Sequence, residues 1–218
     1  MTPQIHILAL APLILTALLL SEKAGWTRGK ITFKFILSSL FISLAFVQTA
    51  LDPRYAAAVI GGLTLCLVGD VALAVPGQTA FRIGLVAFLL GHVGYIVAFT
   101  MLARPGVAMW VTAVAAVPVS TIVYARLLPF LNGMRPPVMG YVVVITLMLI
   151  TAGALFGAAD YSATGRLLVI NGALAFYISD LFVARQRFVH ASFYNRLIGL
   201  PLYYLGQFQI AYSIGLMG

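Results

Sequence analysis

Residues 55–75 read YAAAVIGGLTLCLVGDVALAV, a stretch with no lysine or arginine and a single acid, Asp70, near its end. A helix rising 1.5 Å per residue needs about twenty apolar residues to cross ~30 Å of hydrocarbon, so this stretch reads as a transmembrane helix and sets the fold class. Outward from it the pattern recurs. Apolar runs fall at 5–21, 33–50, 55–75, 81–102, 107–128, 138–157, 166–185 and 195–217. The breaks carry turn and charge signals, among them Asp52-Pro53-Arg54, Pro76-Gly77-Gln78, Arg104-Pro105-Gly106 and Asn132-Gly133. No connection is long enough for a second domain, so residues 1–218 are expected to form one all-α, polytopic membrane helix bundle of about eight helices. The first run has no basic residue before it and no small-residue cleavage site after it, and reads as a membrane helix rather than a leader.

Composition agrees. With 62% hydrophobic and 8% charged residues and a mean hydropathy of +1.07, the chain has too little polar surface to wrap a water-soluble core. Its formal charge of +8 comes from basic residues scattered singly at the ends of apolar runs, with no dense stripe for nucleic acid. Such residues set topology and meet membrane lipid head groups. Counted by alternate connections, Lys23, Arg28, Lys30, Lys34, Arg82, Arg126, Arg135, Arg185, Arg187 and Arg196 lie on one side, against Arg54, Arg104 and Arg166 on the other. Ten against three places the first side in the cytoplasm and both termini away from it. The single Cys66 lies inside an apolar run and reads as a packing residue, with no disulfide framework.

Of five acids, Glu22, Asp52 and Asp160 fall in connections, whereas Asp70 and Asp180 lie inside runs. An ionised carboxylate at bilayer depth costs roughly 2.5–3.5 kcal/mol on insertion scales, so intramembrane acids are functional-site candidates. Both runs head toward the cytoplasm, and each acid sits about five residues before the end, on the order of 8 Å inside the boundary. Other polar residues gather in the same half: Lys34 at the start of the second run, His92 in the fourth, Asn195 at the start of the eighth, then Tyr203, Tyr204 and Gln207. Tyr177 precedes Asp180 by three, so the two share a helix face and the phenol can reach the carboxyl. A polar chamber holding both acids is expected; the alternative is a set of interhelical hydrogen bonds worth about 0.6 kcal/mol each. A metal site is not expected, because His6 and His190 fall at opposite membrane faces from each other and no His-Glu-x-x-His spacing exists. An intramembrane aspartyl protease would need glycine where Leu67 stands and tyrosine where Ser179 stands.

A short internal repeat is visible. Gly69-Asp70 is followed by Leu90-Gly91-His92, and Ser179-Asp180 by Leu205-Gly206-Gln207, four runs later and in the same orientation. This points to a parallel 4+4 duplication about a pseudo-twofold axis along the membrane normal. Gly153 with Gly157, and Ala87 with Gly91, form small-residue faces for close helix contact. Pro12, Pro118 and Pro201 predict kinks.

Leu67-Val68-Gly69-Asp70-Val71-Ala72-Leu73, with Gly84 to Phe88, His92 and Tyr95, resembles the first signature of the lysoplasmalogenase (YhhN-like) family. Gly172-Ala173-Leu174 to Ile178-Ser179-Asp180 and Tyr203-Tyr204-Leu205-Gly206-Gln207 look like its second and third. Two departures stand out: Phe35 follows Lys34 where the family often has proline, and Gly206 precedes Gln207 where it often has alanine. Neither touches an acid.

The resemblance implies a hydrolase that cleaves the vinyl ether bond of a lysophospholipid substrate, lysoplasmalogen, to a fatty aldehyde and a glycerophospho-choline or glycerophospho-ethanolamine. Asp70 and Asp180 would be its general acid and base, in different protonation states, by analogy with glycosidases. His92, Tyr177, Asn195, Tyr203, Tyr204 and Gln207 would orient water or the glycerol hydroxyl, while Lys34 and Arg82 would meet the phosphate. No metal or other cofactor is implied. A bacterial inner membrane with the site toward the cytoplasm is the expected setting. Two other classes stay open: a proton-coupled transporter using Asp70 and Asp180, and a lipid-binding structural bundle indifferent to both acids.

Overall fold

The computed structural model describes residues 3–217. Eight long helices account for most of them: α1 (Pro3–Lys23), α2 (Thr27–Phe46), α3 (Pro53–Ala74), α4 (Gln78–Leu102), α5 (Val107–Leu127), α6 (Arg135–Phe156), α7 (Ala163–Ala184) and α8 (Phe193–Ser213). Seven are long and apolar enough to cross a membrane, and the chain is a multi-pass membrane protein. The exception is α8, which carries Asn195, Arg196, Gln207 and Gln209. Its polarity is tolerated because α1, α2, α3 and α7 surround it, and both glutamines lie away from the exposed surface.

Local chemistry sets the ends. Asp52 caps α3 by accepting from the amides of Arg54 at 2.8 Å and Tyr55 at 3.1 Å, with Pro53 at the first helical position, where no N–H is needed. The tight α1–α2 and α3–α4 connections turn on Gly25 and Gly77, whose φ of +66° and +119° disfavour any side chain. Short connections make sequential helices antiparallel, so the α1–α2, α3–α4, α5–α6 and α7–α8 links share one end of the bundle. The basic majority gathers there, and we call it the basic end. Helices α1, α5 and α8 continue through Pro12, Pro118 and Pro201.

One boundary matters. Helix α2 begins at Thr27, six residues before its apolar run, so Lys34 lies two turns inside the helix instead of at its start. A polar first turn hides a helix from a hydropathy reading.

Contacts between neighbouring helices repeat across the two halves of the chain. A methyl group built on Gly91 would stand 3.2 Å from the Gly62 carbonyl, and one on Gly206 would stand 2.7 Å from the Gly172 carbonyl. One on Gly84 would meet the Gly69 carbonyl at 3.3 Å; one on Gly199 would meet that of Ser179 at 3.6 Å. Gly172 and Asp180 follow Gly62 and Asp70 by 110 positions, and Gly199 and Gly206 follow Gly84 and Gly91 by 115. The α3–α4 and α7–α8 hairpins are thus packed in one register, each through glycines that let backbones touch. Gly153 plays the same part between α6 and α5, where an added methyl would collide with Thr112.

Candidate active site

Asp70 lies four residues before the end of α3, and Asp180 four before the end of α7, about 6 Å of helix from the basic end in each case. Both carboxyls line one cleft. It encloses about 1110 Å³ of empty space, its open mouth included, and its walls are mainly apolar, from Phe81, Leu85 and Phe88 on α4 to Val138, Val142 and Ile145 on α6. A pocket of that character suits a lipid tail with a few polar groups at its base.

Three donors converge on Asp70, whose residue is 1% exposed. Its Oδ2 accepts from the Ser38 hydroxyl at 2.7 Å and the Tyr203 phenol at 2.6 Å, and Lys34 Nζ approaches Oδ1 at 3.5 Å. That donor set is the one an ionised carboxylate accepts. Behind Tyr203 the network continues: Gln207 donates to the Tyr203 oxygen at 3.1 Å and accepts from the Tyr95 phenol at 2.6 Å. Gln207 therefore acts on Asp70 through Tyr203 and does not line the cleft.

Asp180 has a different surrounding. Its Oδ2 accepts from the Tyr141 phenol at 2.5 Å, and the Tyr141 oxygen lies 3.0 Å from His92 Nε2. Because Tyr141 gives its proton to the carboxyl, the network closes when His92 carries its hydrogen on Nε2, with Nδ1 buried and unpartnered among the described residues. Among the described residues, the one cationic group that approaches Asp180 is this imidazole, 3.5 Å away. Its Oδ1 takes no hydrogen bond from a described residue. The Phe176 ring rests on both His92 and Tyr203, at centroid distances of 4.5 and 5.0 Å, so one aromatic side chain braces both networks.

Several expected partners stand elsewhere. Tyr177 lines the cleft, but its phenol pairs with Ser120 at 2.6 Å, and the phenol on Asp180 is that of Tyr141 on α6. Lys34 is buried against Asp70 and lines the cleft beside it. Arg82 is exposed and lies outside the cleft, in a neighbouring depression with Phe130 and Asn132. Asn195 borders the cleft but is spent on the α7–α8 link: it accepts from Arg185 at 2.8 Å and donates to Gln186 and the His190 carbonyl, both at 2.8 Å. Tyr204 is buried outside the cleft lining, with its phenol unpartnered among the described residues. Tyr141 and Ser38 were not anticipated. The available signal for Tyr141 was its depth, about two turns from the basic end of α6, level with Asp180 on α7.

The model of the YhhN family matches residues 29–214, a segment that contains every residue of both acid networks. Among curated proteins, the chain is 34% identical over 158 residues to "Lysoplasmalogenase TMEM86A" of Homo sapiens, covering 70% of this chain and 62% of that one. It is 35% identical to the Bos taurus protein of the same name over 156 residues and 31% identical to "Lysoplasmalogenase TMEM86B" of Mus musculus over 155. The match therefore spans about three-fifths of each relative's length. No solved structure matches. With the family pattern covering most of the sequence and both acid-bearing helices inside it, the chain belongs to the YhhN family.

Proposed function

We propose that this protein hydrolyses the vinyl ether bond of lysoplasmalogens, with Asp180 as general acid and Asp70 as the anion that receives the proton of water. The supporting observation is the single cleft that both carboxyls line, one ringed by donors and paired with a lysine, the other with a free oxygen. The substrate class is that of the relatives, which are named lysoplasmalogenases.

The chemistry balances on two carboxyls. Asp180, with Oδ2 engaged by Tyr141, carries its proton on Oδ1 and delivers it to the β-carbon of the vinyl ether, which leaves an oxocarbenium ion. Water attacks that cation and loses a proton to Asp70, giving a hemiacetal. In its collapse the hemiacetal hydroxyl returns a proton to Asp180, and the departing glycerol oxygen takes the one held by Asp70. Aldehyde and glycerophospho-base leave, and both acids are reset. Tyr203 and Ser38 orient Asp70, and Tyr141 and His92 orient Asp180. The alkenyl chain lies along the apolar wall, and the basic end faces the cytoplasm by its excess of lysine and arginine. A proton-coupled transporter is less well supported, since both acids stand near one end of the bundle.

The test is aldehyde release by purified protein from an alkenyl-glycerophosphocholine. Asp70→Asn and Asp180→Asn should each lower kcat by about 10²–10⁴-fold with the fold retained. Full activity in either variant removes the two-acid reading.

A further inference from the structure

The cleft opens at the basic end between two arginines that the mechanism does not use. Arg187 follows α7 and Arg196 begins α8; both border the acid cleft, and both border a shallower outer cleft with Lys30, Thr27 and the α3–α4 link. Three cations thus face one place, held by two devices. The Glu22 carboxylate, 8% exposed, lies 3.6 Å from Lys30 and 3.9 Å from Arg196, which fixes both side chains while leaving an excess of positive charge. Arg187 lies over the Phe81 ring with its guanidinium carbon 4.2 Å from the centroid, which holds it at the mouth while its N–H edges take no partner among the described residues.

We propose that Arg187 and Arg196, with Lys30 behind them, form the binding site for the phosphodiester of the lysophospholipid. This rests on the hydrolase reading and deepens it. The spacing fits: Asp70 lines the inner cleft, Ala74 at the end of α3 lines the outer one, and the four helical residues between them rise about 6 Å, a span that a glycerol and its ester oxygens bridge. A phosphate anchored at the mouth puts the glycerol ether oxygen at the acids and the chain against the apolar wall. Guanidinium groups suit the task because their paired N–H donors match phosphate oxygens.

The experiment compares an alkenyl-glycerophosphocholine with the phosphate-free alkenylglycerol of the same chain, in neutral detergent. For the unmodified protein, kcat/KM should favour the phosphorylated substrate, and each of Arg187→Gln and Arg196→Gln should narrow that preference about 5- to 10-fold through KM, with Arg196→Lys recovering part of it. Arg54→Gln, exposed at the opposite end of the bundle, should leave the preference as it was. Equal losses on both substrates, or an equal effect of Arg54→Gln, overturn the site. A second arm needs no turnover: binding of a non-cleavable alkyl-glycerophosphocholine and of the matching alkylglycerol, followed by tryptophan fluorescence. Weakening of the first alone by the arginine variants supports the site even if no vinyl ether is cleaved, in which case only the hydrolase reading fails. Parallel weakening of both ligands overturns it. Millimolar inorganic phosphate that competes with the lipid marks a small-anion site, whereas no competition marks one that needs the glycerol and chain as well; failure of the arginine variants to alter either overturns the proposal.

Discussion

Replacing Lys34 by methionine should unbalance the bundle through Asp70. The two side chains are 4% and 2% exposed and their charged atoms lie 3.5 Å apart. At an effective dielectric of about 20 that separation corresponds to roughly 5 kcal/mol of attraction, against which the burial of both groups is set. With Lys34 gone, Asp70 keeps the Ser38 and Tyr203 hydroxyls as donors and can take a proton, which at pH 7 costs an ordinary aspartate about 4 kcal/mol. That escape caps the loss, so Lys34→Met should cost about 3–4 kcal/mol, in the range for breaking a buried pair. For a chain of this size the melting midpoint should fall by roughly 6–16 °C. The assay is a set of circular-dichroism melts in one detergent for Lys34→Met, Asp70→Asn and the double variant. The double variant, which buries neither charge, should recover most of the loss, and the penalty of Lys34→Met should shrink as the pH falls and the proton becomes cheaper. Additive losses, with the double variant no better than the worse single one, would refute the reasoning.

Two further outcomes test the other network and the packing. Tyr141→Phe removes the hydroxyl between Asp180 and His92 and should lower kcat for aldehyde release about 100-fold with the melting midpoint retained; an unaltered kcat would take Tyr141 out of the mechanism. Gly206→Ala places a methyl 2.7 Å from the Gly172 carbonyl and should cost about 1–3 kcal/mol, whereas Gly140→Ala meets nothing within 4 Å and should gain about 0.5–1 kcal/mol, so similar melts for the two would deny the glycine contact.

The membrane spans were legible because hydrocarbon thickness imposes a length and apolarity that few other structures need. The two acids were legible because burying a carboxylate is costly enough to be noticed. What was not legible was which partner on another helix each polar side chain takes. Tyr177 shares a face with Asp180, yet its partner is Ser120 on α5, since sequence spacing fixes neighbours within one helix and not across helices. Tyr141 sits near the end of an apolar run, where tyrosine ordinarily reads as an interfacial anchor. Lys34 was placed at a helix start because α2 begins in a polar turn, and the link that Asn195 makes to Gln186 and His190 was not legible because spacing does not show which neighbours a side chain with donors and acceptors takes. Arg187 and Arg196 were counted for topology alone.

The repeated hairpins explain how two unlike acids arise in one cleft. Each aspartate occupies the same position of an equivalent hairpin, and each network draws on the second helix of its own half and the fourth helix of the other: that of Asp70 on α2 and α8, that of Asp180 on α6 and, through Tyr141, on α4. Neither half alone can build either environment. Identical surroundings would give two carboxyls that exchange protons alike, which serves no reaction needing a donor and an acceptor at once. The halves differ where that symmetry must be broken: α2 brings an amine and a hydroxyl to Asp70, while α6 brings only a phenol to Asp180, with an imidazole behind it. Lysine on one side and its lack on the other is therefore the asymmetry on which the assignment of acid and base turns.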